Sequence, residues 1–151
     1  MTDRSEHGRI EYVSGYENAP GDPFGRCTLV IEPDGRARLD NVFVGRRRAW
    51  EGRVAAATLD RLADALRRSG FPAVPQYDLV PGTVLRELSV TGGPVPGRAL
   101  LPWFEVERWP GYDDLFVVLD GLINELSGGA IPVGPAETLA GAVSDARAVG
   151  G

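Results

Sequence analysis

Two carboxylates one residue apart, Glu105 and Glu107, have the best spacing in this sequence for acid–base or metal chemistry. Tryptophans flank them, and alternate residues of a β-strand share a face, so an extended segment from Trp103 to Trp109 presents all four side chains together. Such a pair could hold an oxygen-ligated metal ion or a cationic ligand. Glycosidase chemistry is less well supported, because two exposed carboxylates lack the difference in burial that separates their pKa values. A small-molecule or metal-binding domain, or an enzyme with this carboxylate site, is the alternative interpretation.

The same stripe also has the composition of a protein-binding surface. Phe104 and Val106 alternate with it and are expected to point into the core, which leaves the tryptophans and glutamates toward solvent, where exposed apolar area indicates a partner. Arg46, Arg48 and Trp50 share one face of a second extended segment, and tryptophan and arginine dominate interface energies. We therefore predict a non-enzymatic domain that binds another protein. The predicted docking residues are Trp103, Glu105, Glu107, Trp109, Trp50, Arg48, Tyr16 and Phe24.

In an alternative interpretation, the tryptophans are not part of this surface. Large aromatic side chains in a small domain are mostly buried, so one or both tryptophans of the stripe could turn inward and cover the end of the core. The run Arg46-Arg47-Arg48 is then simply solvated. Three arginines are too few to indicate a nucleic-acid site, and their expected partners are acidic residues of the same chain.

The other candidates for nucleophilic or metal chemistry are single residues. His7 is the only histidine and lies in an N-terminal segment expected to be mobile, so a serine or cysteine nucleophile has no evident base. Cys27 is the only cysteine and falls among apolar strand residues, where it is expected to behave as a small apolar side chain. This inventory excludes an internal disulfide and a structural zinc site. No cofactor is expected.

The composition is that of one ordinary globular domain. The chain has 151 residues, 43% of them hydrophobic and 25% charged, and its formal net charge is -5. This charge argues against nucleic acid, whose binders present clustered cations. The apolar runs are shorter than a membrane span and the N-terminus is polar, so a cytoplasmic location is expected, with neither a membrane nor a nucleic acid as partner.

Alternation predicts strands in the first third of the chain. Ile10 and Tyr12 share one face of a first strand. The segment "RCTLVIEPDGRARLD" is typical of a β-hairpin, because Pro33-Asp34-Gly35 fits a type I turn followed by a bulge. A further strand is expected around Trp50.

Apolar residues at helical spacing predict two amphipathic helices. The first covers Thr58–Ser69, with Thr58 as its N-cap and Gly70 as the left-handed residue that ends it. The second begins at Asp113 or Asp114, where a carboxylate meets unpaired backbone N–H groups, and ends at a Ser-Gly-Gly sequence.

Two more strands are expected between these helices. The first runs from Thr83 to Thr91 and has one ambiguous position, since Arg86 shares a face with apolar residues. The second runs from Arg98 to Glu107, and Pro102 indicates an edge position or a break.

This order predicts an α+β fold, with an antiparallel sheet of about five or six strands and two amphipathic helices packed on one face. The single domain is expected at residues 9–127, after a flexible N-terminus at 1–8. Residues 128–151 are rich in Gly, Ala and Pro and have few large apolar groups, so a flexible tail is expected there, with a weakly helical segment near Leu139 and Val143.

Four segments carry a resemblance: "PFGRCTLVIEPDGRARLD", "LDRLADALRRSGFPAVPQY", "VLRELSVTGG" and "YDDLFVVLDGLINEL". In this order they resemble small uncharacterised bacterial α+β domains, and the layout is similar to that of the emfourin-type proteinaceous inhibitors of metalloproteases. The resemblance implies a class of fold and action by binding another protein, as an inhibitor or an immunity-type protein does. It transfers no site residue to this chain.

Overall fold

The computed structural model describes residues 7–15, 25–75, 85–102, 108–133 and 141–149. Five of the predicted docking residues lie outside these ranges: Tyr16, Phe24, Trp103, Glu105 and Glu107. The strands are β1 (Arg9–Ser14), β2 (Arg26–Ile31), β3 (Arg36–Phe43), β4 (Arg46–Val54), β5 (Leu85–Thr91), β6 (Gly97–Pro102) and β7 (Val143–Val149). The helices are α1 (Ala56–Ser69) and α2 (Tyr112–Leu126).

The strands form one sheet in the order β6-β5-β1-β2-β3-β4-β7, and every neighbouring pair is antiparallel. The two helices pack on one face of this sheet, and their apolar residues share a core with alternate residues of the strands. We call the other face of the sheet the open face. The predicted α+β fold is confirmed, with seven strands instead of five or six.

The seventh strand occupies part of the expected flexible tail. β7 pairs with β4, from Val54 opposite Val143 to Ala49 opposite Val149, and a register shift interrupts the ladder between Glu51 and Arg53. The tail prediction is therefore wrong for these residues, and Val143 belongs to a strand instead of a helical segment. Leu139 lies outside the described residues.

The hairpin prediction is confirmed in detail. The N–H of Gly35 donates to the carbonyl oxygen of Glu32 over 2.9 Å, and the N–H of Glu32 donates to the carbonyl of Arg36 over 2.8 Å. Gly35 has a φ of 97°, as the bulge after a type I turn requires. The turn residues thus fix the register of β2 against β3.

Helix α1 ends as predicted and begins earlier. Gly70 is left-handed with a φ of 77°, and its N–H donates to the carbonyl of Arg67. The N-cap is Ala55 and not Thr58, since the backbone N–H of Thr58 already donates to the Ala55 carbonyl. Without a capping side chain, this end of the helix is held by its packing against the sheet.

Helix α2 has an acidic first turn that contains Asp113 and Asp114, as predicted, although its N-cap is Gly111 and no side chain caps it. Strand β6 forms one edge of the sheet and Pro102 is its last residue, which confirms the edge position. Neither described helix is both long and apolar enough to cross a bilayer.

Candidate functional site

Directly paired residues of antiparallel strands share a face, so the register divides the helix side of the sheet into rows. One row is apolar apart from the Tyr12 hydroxyl: Leu88, Tyr12, Leu29, Leu39 and Trp50. The next row toward the β3–β4 turn is polar: Arg86, Ser14, Cys27, Asn41 and Arg48. All of this polar row except Arg48 is buried. Buried polar groups need hydrogen-bond partners, and these partners indicate the structural role of each residue in the row.

At one end of the row, Arg86 joins a buried network with Tyr12 and Asp120. Arg86 Nη1 donates to the Tyr12 hydroxyl over 2.8 Å and pairs with Asp120 Oδ2 over 2.9 Å, while the Tyr12 hydroxyl donates to Asp120 Oδ1 over 2.8 Å. The Arg86 guanidinium also lies 4.6 Å from the centre of the Phe116 ring, a cation–π distance. The network therefore ties α2 to the neighbouring strands β1 and β5.

The buried network shifts the proton affinities of its members. Burial, followed by the charge of Asp120, raises the pKa of Tyr12 well above its usual value, so the phenol keeps its proton and donates. Burial also raises the pKa of Asp120, while Arg86 and the Tyr12 hydroxyl act in the opposite direction. All three residues are buried, so the network links the sheet layer to the helix layer.

Sequence reasoning noticed only part of this network. Arg86 was ambiguous because it shares a strand face with apolar residues, and Asp120 lies on the buried side of α2 among leucines. Two opposite charges on otherwise apolar faces were the available signal, since a buried charge requires a partner. Periodicity alone did not say that these two faces meet.

At the other end of the row, Asn41 holds Arg48. The Asn41 amide oxygen accepts from Arg48 Nη2 over 3.1 Å, and its nitrogen donates to the Arg26 carbonyl and to Cys27 Sγ, each over 3.4 Å. The Arg48 guanidinium lies 5.4 Å from the centre of the Trp50 ring. Arg48 is thereby held at the rim of the core with its charge exposed.

Trp50 itself belongs to the core. It is 8% exposed and lies opposite Leu39 on the helix side of the sheet. The predicted shared face of Arg48 and Trp50 exists, and at Trp50 it is buried in the core, so this predicted docking residue is not part of an exposed surface. Trp109 is half-buried and packs edge-on against Tyr112, with ring centres 5.9 Å apart.

The β3–β4 turn has an unusual residue at its tip. Phe43 pairs with Arg46, which leaves Val44 and Gly45 as a two-residue loop, and their φ angles are 47° and 77°. Positive φ at both central positions defines a type I′ turn, whose preferred residues are Asn and Gly. A β-branched residue in this region is strained. Val44 is also 65% exposed, so the strain is not offset by burial.

Four exposed arginines surround this turn, and we call them the basic end: Arg26, Arg46, Arg47 and Arg48. Arg26 and Arg47 both lie beside Val42 on the open face, whereas Arg46 and Arg48 point to the helix side. Within the described ranges none of the four forms an ion pair. The expectation that acids of the same chain neutralise the arginine run is not met by these residues.

Arginines elsewhere on the open face differ in this respect. They line a wide groove of about 1040 Å³ beside acidic residues. Arg9 pairs with Glu32 over 2.9 Å, and Arg38 pairs with Asp40 over 3.0 Å and with Glu51 over 3.1 Å. The charges of Arg9 and Arg38 are already balanced, whereas the basic end groups four exposed guanidinium groups without an acidic partner among the described residues.

The remaining predicted chemistry finds little support in the described ranges. They contain no group of three or more His, Cys, Asp and Glu residues placed to hold a metal ion. Cys27 is buried, as expected of a small apolar side chain. The carboxylate pair Glu105 and Glu107 falls outside these ranges, so the metal or small-molecule alternative stays a prediction.

Comparison of the sequence with protein-family models gives no match, and comparison with curated proteins gives no significant relative. The candidate site therefore rests on the geometry of the chain itself.

Proposed function

We propose that this chain is a non-enzymatic protein-binding domain, of inhibitor or immunity type, that contacts an acidic surface of its partner through the basic end. The observation that carries the proposal is the group of four exposed arginines around the β3–β4 turn, none of which has an ion pair in the described structure. This cationic group stands out in a chain whose net charge is -5. Arginine contributes strongly to interfaces because its planar guanidinium binds carboxylates through two parallel hydrogen bonds.

The strained tip supports the same interpretation. Natural proteins keep strained backbone and exposed apolar side chains mainly where function requires them. Val44 combines both features and stands among the four arginines. An apolar contact surrounded by cations is the composition of an interface core with a charged rim.

An acidic protein surface fits this site better than nucleic acid does. Nucleic-acid binding draws its affinity from many phosphate contacts spread along a strongly positive surface. The basic end is compact, and the balanced charges of the neighbouring groove do not extend it. The negative net charge of the whole chain also opposes a long polyanion.

The test compares two triple variants that change the net charge equally. The first replaces Arg46, Arg47 and Arg48 by glutamine. The control replaces Arg36, Arg38 and Arg53 by glutamine. Arg36 binds the Asp34 carboxylate, and Arg38 binds the carboxylates of Asp40 and Glu51. Arg53 binds the backbone carbonyl of Asp34. Fluorescence anisotropy measures the affinity of each protein for a labelled oligoglutamate peptide and for a labelled DNA duplex, and circular dichroism verifies folding.

We expect the first variant to bind the peptide at least about tenfold more weakly than the wild type, since hydrogen bonds to charged groups contribute about 1.5–3 kcal/mol each. The control is expected to keep most of the affinity. Equal losses in the two variants contradict the proposed site. Tighter binding of the duplex than of the peptide by the wild type assigns the basic end to nucleic acid instead.

A further inference from the structure

Within the described part of the chain, the outer edge of β4 is covered over only part of its length. β7 pairs with β4 from Val54 to Ala49, where its last described residue, Val149, lies. No other described strand lies beside Arg46, Arg47 and Arg48 on the side away from β3. An uncovered strand edge presents backbone N–H and C=O groups that can pair with another chain.

This stretch of the β4 edge, beside which the described residues place no strand, lies within the basic end. Residues of high strand propensity, β-branched ones above all, suit a segment that pairs with such an edge. Addition of a strand to a sheet edge is a common mode of peptide recognition, in which backbone hydrogen bonds give affinity and side chains give specificity.

The positions of the arginines determine which side chains an added strand must carry. Arg48 lies opposite Asn41 on the helix side, Arg46 shares that side, and Arg47 points to the open face opposite Val42. Directly opposed residues of neighbouring strands share a face. A strand added beside β4 therefore meets a guanidinium on both of its faces at successive positions, and its complement is a run of consecutive acidic residues.

We infer that the partner contributes an extended segment with consecutive acidic residues, which pairs as a strand with Arg46–Arg48 of β4 in line with β7. This inference rests on the proposed function and specifies the form of the partner. If charge alone determined binding, acidic residues in any backbone conformation would bind equally well. Strand addition also requires free backbone N–H groups on the partner and acidic residues at consecutive positions.

The test uses three labelled peptides of about nine residues, a common strand length, built from Glu, Val and Thr. The first has a central run of three glutamates. The second has the same composition with the glutamates at alternate positions. The third repeats the first with methyl groups on the backbone nitrogens of the glutamate run, which removes hydrogen-bond donors and keeps the charge. Anisotropy gives the affinity of the full chain for each peptide, and hydrogen exchange reports protection of the Arg47 amide, which points away from β3 because Arg46 and Arg48 pair with it.

We expect the consecutive peptide to bind most tightly, with protection of the Arg47 amide. The alternating peptide is expected to bind about tenfold more weakly, because its glutamates all lie on one face and leave the arginines on the other face without a carboxylate. Methylation is expected to weaken binding roughly fivefold for each hydrogen bond lost.

Two failures have different meanings. Equal affinity for all three peptides, without amide protection, overturns strand addition and leaves the protein-binding proposal standing. Absence of binding to any of them, together with no binding of oligoglutamate, overturns both.

Discussion

At the proposed docking site, Val44 has a backbone conformation that valine rarely adopts. The two-residue turn needs positive φ at this position, which Asn adopts with far less strain than valine. Because Val44 is exposed, its side chain gains little from packing. We therefore expect the residue to lower the stability of the free domain and to make its contacts in the complex with the proposed partner.

Replacing Val44 by asparagine is expected to raise the free energy of unfolding by about 1 kcal/mol, because it relieves strain in a left-handed position. Chemical denaturation measures the change. Val13 is a matched control: it is a partly exposed valine of β1 with ordinary strand geometry, so its replacement by asparagine is expected to destabilise the domain. A loss of stability on substitution of Val44 contradicts the assignment of strain.

At the residue scale, the sequence showed which residues share a face of a strand. It was less informative about which of the two faces is buried. Alternation correctly placed Arg48 and Trp50 together, yet it did not show that helices lie over Trp50. The same limit left Arg86 ambiguous, since its partner Asp120 is 34 residues away in the chain. Long-range pairing of buried charges has no signature in local periodicity.

Among the elements, those specified by local residues were predictable and those held by distant ones were not. Pro33, Asp34 and Gly35 determine their turn through their own backbone preferences, and Gly70 ends α1 for the same reason. β7 has exposed small and polar residues, and its conformation depends on pairing with β4. A strand held by its partner's backbone leaves little trace in its own sequence.

The two helices are joined by a charge cluster at the start of α2. Asp114 accepts hydrogen bonds from Arg61 and, over 3.2 Å, from Arg68, both on α1. The Arg61 hydrogen bond is the main cause that lowers the pKa of Asp114 below its usual value, with the charges of Arg61 and Arg68 adding to it. A carboxylate expected to cap its own helix thus also connects that helix to its neighbour.

Replacing Asp114 by asparagine is expected to make stability less dependent on acid. A lowered pKa in the folded state means that Asp114 stabilises the domain above about pH 4, and that this contribution is lost as the pH falls through the folded pKa. The variant should be less stable than the wild type by up to about 1 kcal/mol at pH 7 and equal to it near pH 2. Urea unfolding across this range measures the difference. Asp113→Asn, in the same helical turn, is the control, and an equal pH profile for the two variants refutes the role of the inter-helix pairs.

For the molecule as a whole, the Tyr12, Arg86 and Asp120 network is a buried polar connection between the sheet layer and the helix layer. Each of its hydrogen bonds is made in surroundings closed to water. Buried ion pairs often contribute little net stability, since desolvation offsets their attraction, but they penalise arrangements that separate the partners. The network thus specifies how α2 sits on β1 and β5.

Replacing Arg86 by methionine is expected to cost about 3–5 kcal/mol, because it leaves Asp120 buried without its cation. A triple variant with Tyr12→Phe, Arg86→Met and Asp120→Leu removes every polar member and should recover a large part of this loss. Urea unfolding of both proteins measures the comparison. A triple variant less stable than the single one shows that the network is a net source of stability.

β7 follows every other described element in the sequence, yet it completes the sheet beside β4. As the polypeptide leaves the ribosome, the earlier strands become available first, and β4 is exposed along its whole outer side until β7 emerges. Neighbouring nascent chains on one messenger RNA are then close enough to pair through such a strand. We expect the arginines of β4 to oppose this pairing, since like charges on adjacent copies repel each other along an exposed strand edge.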